Sequence, residues 1–171
     1  MGFVFETERL LLRRFSNEDA DLIYELNADP EVTRFTHGLI LDKEQAEEVL
    51  NKKILPQYKL YNYGRWAVFI KSTMEFIGWC GLKYRTEIKE VDLGYRFKKS
   101  AWGQGFATEA AFACLHYGFE KIGLERIEAR AAIENTRSWR VLEKCGMKYT
   151  GLGEVDGIPV KIYEARNPSV I

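Results

Sequence analysis

From Phe3 to Phe15 apolar positions alternate with charged ones, Leu10, Leu11 and Leu12 standing between Arg9 and the Arg13-Arg14 pair, and the run reads as one strand. Ser16-Asn17-Glu18-Asp19 then offers an N-cap and early acids to a helix over Ala20 to Asn27, with Leu22, Ile23 and Leu26 on one stripe. Asp29-Pro30 ends it, because a proline drives the residue before it out of helical geometry. Asp42 caps a second helix from Lys43 to Ile54, and Pro56 marks its exit.

The middle of the chain shifts to a shorter period. Trp66 to Ile70, Phe76 to Leu82 and Val91 to Phe97 read as strands joined by polar turns at Lys71 to Glu75 and Arg85 to Lys89. Links this short predict an antiparallel meander, since parallel neighbours need a long crossover. A helix from Gly105 to Ile122 follows, with Ala107, Ala111, Cys114, Leu115, Gly118 and Ile122 on one face and Gly123 as its stop. Next come a strand at Arg126 to Ala131 and a helix from Thr136 to Lys144. Two strands, Met147 to Glu154 and Pro159 to Ala165, close the chain as a hairpin turning at Asp156-Gly157. The pattern predicts a single mixed α/β domain over residues 1–171, a meander first and a β-α-β crossover later.

The 171 residues suit one core, and 25 Lys and Arg balance 25 Asp and Glu, so no net field draws nucleic acid or an anionic membrane. The apolar runs are far shorter than a membrane span, and Gly2 to Arg14 lacks the charged-then-apolar order of a signal peptide. A cytoplasmic protein is expected. Cys80, Cys114 and Cys145 are widely spaced, His37 and His116 are isolated, and no ligand pattern joins them. Reduced, mostly buried thiols and no metal are expected.

Trp102-Gly103-Gln104-Gly105-Phe106-Ala107-Thr108 carries the first chemical signal. It lies between a strand and a helix, where unpaired N–H groups attract phosphate oxygens and glycines let the backbone approach them. A packing turn is the plain alternative. The chain has no Walker loop, and a dinucleotide fingerprint would need Gly or Ala where Thr108 stands. Glu125 or Glu128 falls near the ribose-binding acid of that fingerprint, which keeps a nicotinamide enzyme as a minor alternative.

Several blocks in order give a resemblance. They are Glu8-Arg9-Leu10-Leu11-Leu12-Arg13, Asp29-Pro30-Glu31-Val32 and Gly78-Trp79-Cys80-Gly81. Then come Asp92-Leu93-Gly94-Tyr95, Trp102 to Ala110, Glu134-Asn135-Thr136-Arg137-Ser138 and Val141 to Met147. Over nearly its whole length the chain resembles the GNAT acetyltransferases, within them the branch of ribosomal-protein alanine N-acetyltransferases. The resemblance implies a GNAT-like fold: a central mixed sheet of six to seven strands, an antiparallel meander, splayed central strands and about four helices. It implies acetyl-CoA as co-substrate, its pyrophosphate held by Gly103, Gln104, Gly105, Phe106, Ala107 and Thr108 beside Trp102. The pantetheine arm runs along Tyr95, Arg96 and Phe97 as an added strand, and an amide near Phe97 polarises the thioester carbonyl. Asn135 contacts the arm or caps the helix that follows, and both roles stay open. Arg137, Arg140 and Lys144 either meet the 3′-phosphate or form a solvated face.

Acetyl transfer to an amine requires loss of an amine proton, a stabilised oxyanion and a leaving thiolate. With no Ser–His or Cys–His pair, direct attack in a ternary complex is expected. Asp92 is the expected base and Glu90 the second choice, against the plain reading of a surface acid paired across strands. Many family members carry a tyrosine where this chain has Leu142; Ser138 is the nearest replacement as proton donor, with Cys145 and Tyr149 behind it. The first two helices, their loop Arg34 to Leu41 and the last hairpin form the expected substrate end. Glu31, His37, Asp42, Tyr58, Tyr61, Tyr63, Trp66 and Trp79 there suit a cationic amine, and a packed core is the plain alternative for most of the aromatics. The acceptor is a peptide N-terminus or a small amine. The missing tyrosine keeps a second class alive, a non-catalytic acyl-CoA-binding module. Homodimers are common in the family, and the sequence fixes no interface.

Overall fold

The computed structural model describes residues 3–170. Its first elements correct the expected single strand: they form a hairpin of β1 (Phe3–Glu6) and β2 (Leu10–Arg13). No Gly or Pro marks the turn. Thr7 makes it instead, its N–H donating to the Leu10 carbonyl at 2.8 Å and its Oγ1 accepting from the Leu10 N–H at 3.0 Å. Helix α1 (Ala20–Asn27) forms where expected. Asp19, at its N-cap, turns its carboxylate to Arg13 at 2.7 and 3.1 Å and to the Ser16 amide at 2.7 Å.

Pro56 does not end the second helix. α2 (Lys43–Val49) runs through a π-helical turn, Leu50–Ile54, into α3 (Leu55–Tyr61). The π turn shifts the hydrogen-bond register, which puts Pro56 in the first turn of α3, where its missing N–H leaves no bond unmade. The meander follows as β3 (Arg65–Ile70), β4 (Glu75–Arg85) and β5 (Glu90–Phe97). α4 (Phe106–Tyr117) is prolonged by a second π turn, Gly118–Ile122. β6 (Arg126–Ala132), α5 (Thr136–Lys144), β7 (Lys148–Val155) and β8 (Ile158–Arg166) complete the order.

All eight strands share one sheet in the order β1-β2-β3-β4-β5-β6-β8-β7, one more than expected because the first strand is two. Every neighbour pair is antiparallel except β5 with β6. Successive side chains of a strand point to opposite faces. Tyr95 reaches α5, bonding the Ser138 carbonyl, and Arg96 reaches Asn27 of α1. So α4 and α5 cover one face and α1 to α3 the other. Phe106, Ala110, Ala111, Cys114 and Leu115 of α4 pack on the first face with Cys80, Leu82, Leu93, Ile127 and Ala129, all buried.

One irregularity positions the site. β4 and β5 pair from Gly78↔Phe97 to Arg85↔Glu90, yet β5 and β6 pair only at Asp92↔Glu128 and Leu93↔Ala129. Beyond Leu93 the parallel strands part, while β6 stays paired with β8 as far as Ala132↔Val160. The sheet is splayed at its centre, between the strands the sequence singles out.

Candidate active site

The splay leaves Gly94, Tyr95, Arg96 and Phe97 without strand partners on their β6 side. One sheet edge is thereby exposed inside the molecule, a template for an extended group. At the wide end of the gap stands the N-terminus of α4. Gly103 (φ 76°) and Gly105 (φ 81°) both adopt left-handed backbone, and Gly105 takes the N-cap position with no side-chain cap. The Glu109 N–H bonds the Gly105 carbonyl at 3.0 Å, so the Phe106, Ala107 and Thr108 amides before it lack helical partners. Those donors and the helix dipole suit phosphate oxygens, so the turn is the candidate phosphate cradle.

The cradle is braced by residues the motif does not contain. Arg9 donates from Nη1 to the Gln104 carbonyl at 2.9 Å and from Nε to Glu109 at 2.8 Å, and stacks 4.4 Å from the Phe106 ring centre. Glu109 also accepts from the Thr7 hydroxyl at 2.5 Å and the Arg9 amide at 2.9 Å. Burial alone would raise the Glu109 pKa; the bonds from Thr7 and Arg9 outweigh it and hold the carboxyl below its ordinary range. Trp102 ties the loop to β5, its Nε1 donating to the Phe97 carbonyl at 2.9 Å, and Arg137 of α5 stacks on it at 4.6 Å. Beside the cradle a shallow depression of about 590 Å³ is lined by Thr108, Phe112 and Lys144.

Across the gap, α5 presents Asn135 and Ser138. Asn135 Oδ1 accepts from the Ser138 N–H at 3.3 Å, so the cap is made and its amide nitrogen stays free for another partner. The Tyr95 hydroxyl donates to the Ser138 carbonyl at 2.7 Å, and Ser138 Oγ stands 3.3 Å from the same phenol. Burial pushes the Tyr95 phenol far up, so it keeps its proton. Leu142, one turn on, is buried in the core. Cys145 has its thiol pushed up to about 12 by burial, and Tyr149 is exposed on β7. Arg140 lies on the exposed side of α5, stacked 5.9 Å from Trp139.

Asp92 and Glu90 part company. Asp92 lies in the last two rungs before the gap and is only 6% exposed. Its Oδ2 accepts from Arg65 Nη2 at 2.8 Å, its carbonyl from Arg65 Nη1 at 2.9 Å, and Arg130 Nη1 stands 3.9 Å from Oδ1. Glu90 lies on the other side of the rungs from Gly94 to Phe97, bonded to Arg126 at 2.7 Å. Burial raises the pKa of its neighbour Glu128; Glu90, hydrogen-bonded to Glu128 and then to Arg126, is held low. Neither Arg65 nor Arg126 carries a motif signal; both belong to the site only through the register of the sheet.

The expected substrate end divides between core and mouth. Tyr58 and Trp66 are core residues, Tyr58 bonding the Arg65 carbonyl and the Phe15 amide, and Tyr61 stacks with Tyr63 and Tyr84. Glu31 pairs with Lys99 at 2.5 Å, and Asp42 caps α2 through the Gln45 N–H at 2.8 Å. The loop between α1 and α2 does reach the mouth. Arg96, lying over Trp79 at 5.1 Å, bonds Asn27 and, at 3.1 Å, Thr36, while His37 Nε2 meets the Asp156 carbonyl of the β7–β8 turn at 2.9 Å. Among the described residues, no group of three or more His, Cys, Asp or Glu stands where it could hold a metal, and no helix is long and apolar enough to cross a membrane.

A sheet split between parallel strands, with free helix amides near α4, has a shape and polarity suited to a long, extended molecule that carries phosphate. The family model described as "Acetyltransferase (GNAT) domain" matches residues 9–148. Protein YkkB of Bacillus subtilis, named as uncharacterized, is 36% identical over 94% of each chain. The uncharacterized N-acetyltransferase p20 of Bacillus licheniformis is 35% identical over 85% of this chain and 83% of its own. A GNAT-family acetyltransferase structure from Bacillus anthracis superposes with a TM-score of 0.82 at 26% identity, covering 96% of this chain and 98% of the other. The chain belongs to the GNAT acetyltransferase family. It is an N-acetyltransferase, and acetyl-CoA is its co-substrate. The free amides, left-handed glycines and unpaired β5 edge suit that molecule's diphosphate and amide-bearing arm.

Proposed function

We propose that the protein moves the acetyl group to a primary amine, on a peptide N-terminus or a small molecule, by direct attack in a ternary complex. The observation that carries this reading is the two-rung pairing of β5 with β6, which leaves room for the arm between them. Acetyl-CoA supplies the activated carbonyl and the thiolate leaving group. Gly103 to Thr108 hold the diphosphate through main-chain N–H groups, with Trp102 closing the turn against β5. The edge Tyr95, Arg96 and Phe97 aligns the arm, and a β5 amide near Phe97 stabilises the oxyanion. The free amide nitrogen of Asn135 meets the arm from the other lip. Lys144, in the depression by Thr108, takes the 3′-phosphate end, with Arg140 and Arg137 adding charge on the same helix.

Asp92 receives the amine proton through a water, since its own oxygens lie buried against arginines. The amine nitrogen bonds the carbonyl carbon as the carbon–sulfur bond breaks, and Ser138 Oγ turns from the Tyr95 hydroxyl to protonate the departing thiolate, regaining its proton from solvent while Tyr95 keeps its own. Glu90, on the other side of the rungs from Gly94 to Phe97, is the second candidate base. A thiol-release assay with acetyl-CoA and a panel of amines tests the reading. Free CoA should accumulate only when a suitable amine is present; tight acetyl-CoA binding without turnover on any amine refutes it.

A further inference from the structure

Three arginines stand on the face of the gap that α1 to α3 cover; Arg65 and Arg130 face carboxylates, and Arg96 has no acidic partner among the described residues. Arg65 is spent on Asp92 and on the Gly81 carbonyl at 2.9 Å. Arg96, on the β5 lip, is half-buried beneath the α1–α2 loop, and its recorded partners are neutral: Asn27, Thr36 and the Trp79 ring. Burial and the neighbouring Arg65 draw its pKa down to about 10, the signature of a guanidinium short of counter-charge. Arg130, on the β6 lip, follows the last rung directly and so stands at the apex of the gap. Its Nη2 bonds Glu128 at 2.7 Å and stands 3.7 Å from Glu90, while its buried Nη1 makes no hydrogen bond and has only the longer ion pair with Asp92, at 3.9 Å. Buried polar groups are almost always hydrogen-bonded, and a charged donor left unpaired is costly.

We propose that the acceptor carries a carboxylate beside its amine, received between Arg130 and Arg96 with Arg130 Nη1 as its principal donor. This rests on the acetyl transfer proposed above. Asp92 Oδ1 lies 3.9 Å from that donor, so one small molecule spans both: its amine at the carbonyl near Asp92, its carboxylate on Arg130. Short-chain amino acids fit this description. A polyamine would bring positive charge toward Arg96, which has no acidic partner, and toward a donor of Arg130 that makes no hydrogen bond, and a peptide N-terminus offers only a neutral carbonyl there.

The test uses the full chain and acetyl-CoA in the thiol-release assay, with glycine, L-alanine and β-alanine each paired with its carboxamide, and 1,4-diaminobutane as the cationic probe. The acids should exceed their amides in kcat/KM by about tenfold or more, through KM, as a charge-assisted bond implies. Arg130→Gln should bring that ratio to about one, and Arg130→Lys should recover part of it, with CoA affinity unchanged in both. Amides or the diamine turned over as well as the acids would overturn the inference and leave acetyl transfer standing, whether or not the variants fold. So would an Arg130→Gln enzyme that loses CoA affinity while keeping its preference. Silence on every amine, with acetyl-CoA bound, would overturn acetyl transfer itself and this inference with it.

Discussion

Asp92 is a carboxylate taken out of water, and burial of a lone charge costs far more than one hydrogen bond returns. Arg65 resolves the problem from two strands away, using one guanidinium to hold the Asp92 carboxylate, its carbonyl and the Gly81 carbonyl. The crossing requires Gly94. A Cβ there would lie 2.3 Å from Arg65 Nη2, so Arg65 can pass beneath β5 only because that residue has no side chain. In the mechanism proposed above, Arg65 is thus a positioning residue and Asp92 the base that it aims. Asp92→Asn keeps the shape and removes the proton acceptor. Turnover should fall by about 100-fold, the usual worth of a general base, with acetyl-CoA affinity retained. Steady-state kinetics across pH decide it: an unchanged pH–rate profile in the variant would acquit Asp92.

At the scale of elements, the start of α4 joins two requirements in one turn. Left-handed backbone at Gly103 and Gly105 aims the amides outward, and Arg9 and Glu109 clamp the turn to the β1–β2 hairpin. Gly105→Glu puts a side chain into a φ of 81° and a negative charge at the mouth of the cradle. Calorimetric titration should show CoA affinity reduced by about 100-fold or more in a protein that stays folded; retained affinity would remove this turn from the site. The clamp also has a pH signature. Glu109 has a folded pKa below its ordinary 4.5, so its contribution is present above that value and lost as pH falls through the folded one. Glu109→Gln should cost about 1–2 kcal/mol at neutral pH, and the difference from the parent should shrink in acid melts.

These elements also mark how far the letters reach. Helix α1 and the meander are legible because their periods, caps and turns are local. The turn that opens α4 is legible too, since glycines between a strand and a helix mark it in the letters and both Gly103 and Gly105 adopt left-handed backbone. The β1–β2 turn is not, because what holds it includes Glu109, 102 residues on from Thr7. Pro56 misleads for a related reason: a π turn earlier in the helix makes a proline acceptable, and a bond register one residue out of step leaves no mark in composition. In the site, Asp92 and Ser138 can be singled out by motif, but Arg65 and Arg130 cannot. Their meaning arises when the sheet brings β3 and β6 to either side of β5.

Taken whole, the molecule is two antiparallel halves joined by two parallel rungs. One half is β1 to β5 under α1 to α3; the other is β6 to β8, with α5 beside it and α4 bridging both. So little main-chain pairing leaves the junction to side chains. Arg126 spans it by bonding Glu90 on one side and Glu164 at 2.7 Å on the other, and Tyr95 spans it through Ser138. A ligand lying along β5 replaces missing rungs, so it should stiffen the seam and raise the melting temperature with its concentration. Hydrogen exchange is the sharper measurement. Amides from Gly94 to Phe97 should slow when CoA is added, and equal exchange with and without it would place the arm elsewhere.

The seam also bears on how the fold survives between turnovers. Main-chain groups on an open strand edge invite any extended peptide, including that of another copy, to dock there. Here the edge sits in a slot between two lips, walled by α5 on one face and by the α1–α2 loop on the other. A strand from another copy would have to displace those walls to reach the β5 edge. The open edge of β5 is therefore shielded from aggregation by the elements that flank it.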